Sequence, residues 1–227
     1  LLAEKEALLE NALVGIIMVR QSQIVSCNRR FAAIFGYSSA ALPGQSTRVL
    51  FGTEDAFAAF GEEAYRSLSS GESYTATLMV AHADGSSFWC ELTGSAVDPR
   101  YPRESSIWIF TDVTERKLAE ERASYLSYHD ALTGLPNQLL MQDRLQQAIA
   151  FSNRMGTKVA LMVLDIDRFK AVNDFLGHDA GNRMLVAVAQ RLRGNLRGTD
   201  TVCRQGGDEY LLLLTNLAEP DAVVTFL

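Results

Sequence analysis

Apolar and polar positions divide this chain into short segments of differing period. Residues 1–13 (LLAEKEALLENAL) set Leu2, Leu9 and Leu13 among charges, as at the end of a helix. Residues 16–20 and 23–27 are short β-rich runs, and Asn28 then stands as a cap for a helix over 29–35. Pro43-Gly44 marks a loop, and residues 54–68 have a helical composition with Phe57, Phe60 and Tyr65 as apolar bulk. Strand candidates follow at 73–83, 87–97 and 106–111. The turns between them contain Asp84-Gly85 and Asp98-Pro99, which predicts an antiparallel meander. A charged helix then runs from Thr114 to about Tyr128. Its Leu118 and Tyr125, seven apart, are too few for a heptad seam, so it reads either as a solvated linker or as a helix that passes a signal.

The pattern changes after residue 129. Residues 130–137 form a turn predicted to launch a helix at Pro136, with Met141, Leu145, Ala148 and Ile149 on one apolar face. Residues 159–164 are continuously apolar, which predicts a strand buried on both faces. That run ends in Asp165-Ile166-Asp167 before a helical segment at 168–175. A further helix begins near Asp179, buries Leu185, Val188, Ala189 and Leu192, and stops around Gly194. Two β-rich runs, 201–203 and 210–214, then flank Arg204-Gln205-Gly206-Gly207-Asp208-Glu209, a tight hairpin with acids at its tip.

Composition narrows the function classes. The 227 residues have room for two domains, and 48% hydrophobic content without an apolar run near 18 residues predicts a soluble chain with no membrane span. The net charge of −6 is shared unevenly: residues 1–112 hold 8 Lys and Arg against 13 Asp and Glu, the remainder 13 against 14. Neither half is basic, which argues against a nucleic-acid partner held through its phosphates. Three scattered cysteines (Cys27, Cys90, Cys203) fit reduced thiols and a cytoplasmic location. With no initiator Met and no signal peptide, residue 1 reads as a position inside a longer protein.

Glycine at a turn allows positive φ and close approach of a bulky anion, and paired acids there suit a divalent cation carrying phosphates. The same tip also serves as a solvated turn. Asp165 has two readings as well: a carboxylate at a strand end ahead of a helix holds cations and phosphates, or simply caps the helix. Arg197 and Asp200 stand in Arg-x-x-Asp spacing before the hairpin, a pair common by chance, and an arginine near a helix end is favoured by the dipole alone.

Two strands, short helices, three strands and the exit Asp112-Val113-Thr114-Glu115-Arg116 resemble a PAS sensor domain over about residues 8–114. DALTGLPN at 130–137, DIDRFKAVNDFLGHDAGN at 165–182 and RQGGDEY at 204–210 resemble, in order and spacing, a GGDEF domain of the diguanylate cyclase family. The resemblance implies an α+β chain: an antiparallel PAS sheet with flanking helices, joined by a helix to a ferredoxin-like, palm-type α/β domain. It implies an N-terminal helix end at 1–13, a sensor at 14–113, a signalling linker helix at 114–128, and a GGDEF domain at 129–227 that is incomplete at its C-terminus.

The resemblance also implies roles. Asp165, Asp208 and the Ile166 carbonyl would hold two Mg²⁺ per active site, with Glu209 in support. The backbone of Asp167, Arg168, Phe169 and Lys170, and the Lys170 ammonium, would receive the β- and γ-phosphates. Gly206 and Gly207 would admit the triphosphate, and Asn173 and Asn182 would read guanine. Two GTP would condense to cyclic di-GMP across a homodimer, and Arg197 with Asp200 would form an inhibitory product site. The alternative is a non-catalytic module that binds GTP or cyclic di-GMP and controls a downstream phosphodiesterase; a weaker one is a piece serving only dimerisation.

Three departures stand out. Tyr210 replaces the usual Phe, a change expected to matter little, and Gln138 stands where a basic residue is common. Asn182 replaces the usual Asp; a carboxamide offers one acceptor and one donor where a carboxylate accepts twice, so weaker guanine selectivity is expected. If further strands lie beyond residue 227, the 159–164 run becomes an exposed edge without them. In the sensor half, residues 54–68 contain no His, His82 is placed in a strand, and no cysteine lies in a flavin-photosensor pattern. Phe88, Trp89 and Tyr74 read as core. The sensor ligand stays open, with an empty pocket one option.

Overall fold

The computed structural model describes residues 2–219, and the chain divides between Ala119 and Glu120 into two compact units. The first begins with α1 (Leu2–Glu10) and the hairpin β1 (Gly15–Arg20) and β2 (Gln23–Cys27), followed by α2 (Arg29–Phe35). Asn28 ties these together. Its Oδ1 accepts from the Ile16 and Phe31 amides, both at 2.9 Å, and its Nδ2 donates to the Leu9 and Val14 carbonyls at 2.8 and 3.0 Å. A side chain that caps a helix while satisfying two other segments is worth more than a surface cap. Gly36 ends α2 in the left-handed region, φ 73°.

Next come α3 (Glu54–Ser69), β3 (Tyr74–Ala81), β4 (Ser87–Ala96) and β5 (Ser106–Asp112). The sheet is antiparallel throughout, in the order β2-β1-β5-β4-β3. Its inner face packs Phe31, Phe35 and Phe110 edge to face, beside Leu92 and Trp108. His82 lies in the turn between β3 and β4, not in a strand: its amide bonds the Ser86 carbonyl and its ring packs at Gly36. Burial pushes the Cys90 thiol up to about 12 and the Cys203 thiol up to about 11, so neither is a thiolate near neutral pH.

Gly94 faces Trp108 across the β4–β5 pair, and a Cβ there would overlap the indole. Trp108 is 3% exposed and its Nε1 donates to Ser106 Oγ at 2.9 Å, so the ring cannot simply step aside. Gly94→Ala is expected to destabilise the first unit by about 1–3 kcal/mol through overpacking. Urea titration of the two proteins would show it as a lowered midpoint for the tryptophan signal; equal midpoints would refute it.

α4 (Thr114–Tyr128) connects the units in the chain and has no buried residue among those described. The second unit contains α5 (Gln138–Met155), β6 (Lys158–Leu164), α6 (Phe169–Leu176), α7 (His178–Asn195), β7 (Thr201–Gly206) and β8 (Glu209–Leu217). The sheet order is β6-β8-β7, all antiparallel. The central strand is β8: Tyr210 and Leu212 join Phe169, Leu185 and Ala189 on one face, while Leu213 joins Met141 and Cys203 on the other.

Burial on both faces therefore belongs to β8, not to the 159–164 run. β6 is an edge strand, with Leu161 and Val163 exposed. Periodicity cannot rank two neighbouring apolar runs, because position in the sheet decides which becomes central. The helix expected to start at Pro136 is capped instead by Asn137, whose side chain accepts from the Leu140 amide. Pro136 bridges to His129 and its carbonyl accepts from the Arg204 amide, which holds it outside the helix.

Candidate functional site

The hairpin β7–β8 turns through Gly207 and Asp208. Gly206 has φ 154° and Gly207 φ 52°, and neither has an atom within 4 Å of where a Cβ would sit. Backbone conformation, not crowding, thus calls for glycine here. Asp208 is half-buried and Glu209, which opens β8, is exposed. Leu164 pairs with Tyr210, so the next residue of β6's exit, Asp165, comes alongside Asp208–Glu209. Residues some forty positions apart are thereby joined by strand register.

From Asp165 the chain passes Ile166 and Asp167 to Arg168, a non-glycine residue at φ 57° that caps α6. The left-handed region is sparsely populated by such residues and marks a tightly determined corner. The Ile166 carbonyl accepts from the Phe169 amide at 3.1 Å, which occupies one of the amides expected to receive phosphate and leaves the carbonyl one lone pair. Phe169 is buried and anchors the helix, while Lys170, in its first turn, is exposed. Asn173 lies one helix turn on. Its Oδ1 is buried without a hydrogen-bond partner, and a Cβ at Gly181 would overlap it. Asn173 thus abuts the residue preceding Asn182, which is exposed on α7.

Two residues without an assigned role hold the hairpin. Arg204 Nε and Nη2 donate to the Gly207 carbonyl at 2.9 and 2.6 Å, and Nη1 reaches the Asp130 carboxylate at 3.0 and 3.1 Å. Asp130 also accepts from the Thr133 amide and hydroxyl at 2.8 and 2.6 Å. Partial burial works to raise the Asp130 carboxyl, but the Thr133 bonds and then Arg204 hold it below the usual carboxylate range. The turn at 130–137 is in this way clamped to the hairpin tip. A 74-residue separation hides such a pair from local pattern; only the shared presence of both motifs hinted at it.

Arg197 and Asp200 lie at the other end of β7, roughly 20 Å from the tip for a six-residue strand. The Asp200 carboxylate accepts from the Arg197 amide at 3.3 Å and the Thr215 amide at 3.0 Å, so its first duty is closing this turn. Arg197 lines a depression of about 480 Å³ together with Arg144, Arg193 and His129.

The exit of β6 and the hairpin tip carry three carboxylates, Asp165, Asp208 and Glu209, and the Ile166 carbonyl. Among the described residues no three His, Cys, Asp or Glu side chains converge as a metal site. All-oxygen ligands, few in number, fit a hard divalent cation that takes its remaining ligands from water and phosphate. No helix among the described residues is long and apolar enough to cross a membrane.

Residues 13–115 match a family model described as PAS domain, and residues 127–225 match one described as diguanylate cyclase, GGDEF domain. The bifunctional diguanylate cyclase/cyclic di-GMP phosphodiesterase MucR of Pseudomonas aeruginosa is 41% identical over 128 residues, which are 56% of this chain and 18% of that protein. Diguanylate cyclase TpbB of Pseudomonas aeruginosa is 44% identical over 106 residues, 46% of this chain and 24% of that one. A solved PAS domain, in complex with ethanol, of a LuxR-family transcriptional regulator from Burkholderia thailandensis is 32% identical; it covers 48% of this chain and 96% of its own, with a TM-score of 0.46. The chain spans about a fifth of the length of the two curated relatives. With the two matches lying end to end, this chain carries a PAS domain and, after it, a member of the diguanylate cyclase GGDEF domain family.

Proposed function

We propose that this chain is a PAS-regulated diguanylate cyclase that condenses two GTP into cyclic di-GMP. The observation that carries the reading is the β6–β8 register, which sets Asp165 beside Asp208 and Glu209, next to the α6 corner. Two Mg²⁺, held by Asp165, Asp208 and the Ile166 carbonyl with Glu209 in support, would supply charge neutralisation at the α-phosphoryl group and a more acidic 3′-hydroxyl. The exposed Lys170 ammonium binds the β- and γ-phosphates, and the open space at Gly206 and Gly207 admits the triphosphate. In each of two displacements a 3′-oxygen bonds to the α-phosphorus of the other GTP. The bond to pyrophosphate breaks, and the hydroxyl proton leaves to water. Each domain presents one nucleotide, so the reaction needs a homodimer.

In this reading α4 is the signalling helix, cyclic di-GMP bound at Arg197 and Asp200 is the brake, and the cytoplasm supplies GTP. A second reading, a regulatory GGDEF module ahead of a phosphodiesterase, is favoured by the bifunctional name of MucR. Incubation of the protein with GTP and Mg²⁺, followed by assay of cyclic di-GMP and pyrophosphate, separates them. Tight GTP binding without product would overturn the cyclase reading.

Asn173 and Asn182 supply the base-reading edge, and the Asn173 Oδ1 without a partner is an acceptor waiting for a donor. Guanine presents N1–H and N2–H donors, which two acceptors at position 182 would match better than one. Asn182→Asp is expected to raise the GTP-over-ATP preference about tenfold, within the 1–3 kcal/mol typical of a bidentate base contact. Competition binding with the two nucleotides measures it, and an unchanged ratio would sink the idea.

A further inference from the structure

The first unit holds a partly open cavity of about 220 Å³ between α3 and the sheet. Ile17, Leu50, Phe51, Phe60, Trp108 and Phe110 form most of its wall. No His, Cys or Met lines it, and Tyr65 is the one lining residue of a type that ligates haem iron. Set beside an engineered apolar cavity of about 150 Å³ that takes a benzene ring, the space suits a chain of roughly six to nine carbons. The size and the apolar wall specify a short hydrocarbon.

The rim adds charge. Arg103 lines the opening, and its guanidinium lies 4.3 Å from the centre of the Tyr65 ring, another lining residue. Stacking orients the planar fork while leaving its N–H donors for a partner. Among the described residues no carboxylate pairs with it. Glu62, exposed to solvent as Arg103 is, also lines the opening, and Ser22 and Thr47 add hydroxyls. An oriented, anion-free guanidinium at the mouth of an apolar cavity is the pairing that recognises a carboxylate with a hydrocarbon tail.

We propose that this cavity binds a medium-chain monocarboxylate, its tail of about six or seven carbons inside and its carboxylate on Arg103. The site stands apart from the cyclase reading, since binding is measured whether or not the chain makes cyclic di-GMP. The test is isothermal titration calorimetry of the 227-residue chain near neutral pH with butyrate, hexanoate, octanoate, decanoate and 1-octanol. Affinity should rise about fourfold per methylene up to octanoate and level off at decanoate, as burial of the tail saturates. Arg103→Gln should weaken octanoate about five- to tenfold, the worth of a rim-exposed charged contact, and leave 1-octanol unchanged.

No octanoate heat, equal affinity for octanoate and 1-octanol, or full octanoate affinity in Arg103→Gln would each overturn the proposal. Should Arg103→Gln also lose 1-octanol, Arg103→Lys decides, because it keeps the charge. Retained preference for octanoate over the alcohol supports the site, and its disappearance refutes it.

Discussion

Asp208→Asn is expected to lower cyclic di-GMP formation by at least about 10³-fold while leaving the melting temperature no lower than that of the parent. The substitution keeps the shape of the side chain at the hairpin tip and removes one charge. A lost metal carboxylate withdraws several kcal/mol of transition-state stabilisation, and each 1.36 kcal/mol is a factor of ten. Stability should be unchanged, because Asp208 is half-buried at a turn and the exchange alters neither its size nor the two glycines before it. Product formation in steady state and thermal denaturation without Mg²⁺ measure the two effects. Activity within tenfold of the parent would remove Asp208 from the metal site.

Arg204→Ala should act on geometry, with a different signature. The guanidinium bonds both the Gly207 carbonyl and Asp130, and its side chain is 12% exposed against 21% for Asp130. Truncation leaves a carboxylate partly buried with only Thr133 for company, at a cost of about 1–3 kcal/mol. It also frees the tip that carries Asp208. Displacement of a reacting group by an ångström costs about 10²-fold, so product formation should fall by roughly that factor. Arg204→Lys should recover less than half of the stability loss, because an ammonium cannot serve both partners at once.

Acid adds a check on the same clamp. The Asp130 carboxyl is held below its unfolded value, near 3.9. Its contribution is therefore present above that value and is lost as pH falls through the lower folded one. Arg204→Ala raises the folded value, so its acid unfolding should begin at higher pH than in the parent. Circular dichroism during acid titration shows the onset; coincident curves would argue that Thr133 alone holds the carboxylate.

Much of this organisation was legible in the residues. Asn28 and the strands of the first unit follow from caps and periods that are local in the chain. The hairpin was equally legible, since paired glycines before paired acids admit few backbone conformations. What escaped was everything set by assembly. The 159–164 and 211–214 runs have the same apolar texture, and only pairing made β8 central and β6 the edge. The clamp of Arg204 on Asp130 joins two recognisable motifs whose contact neither reveals alone. Asp200 was legible as an acid near an arginine, but its tie to the Thr215 amide depends on where β8 ends.

The tyrosine at position 210 was expected to be a neutral exchange for phenylalanine, and its hydroxyl is in fact engaged. Tyr210 is fully buried and donates to the Leu185 carbonyl of α7 at 2.9 Å. That phenol spans from the strand that begins at the acids to the helix that carries Asn182. It acts as a spacer of fixed length between the end of the site that would hold phosphates and the end that would read a base. A nucleotide can adopt several distances between its base and its phosphates. One hydroxyl, hidden beneath both ends, would then favour the conformers whose span matches the second unit.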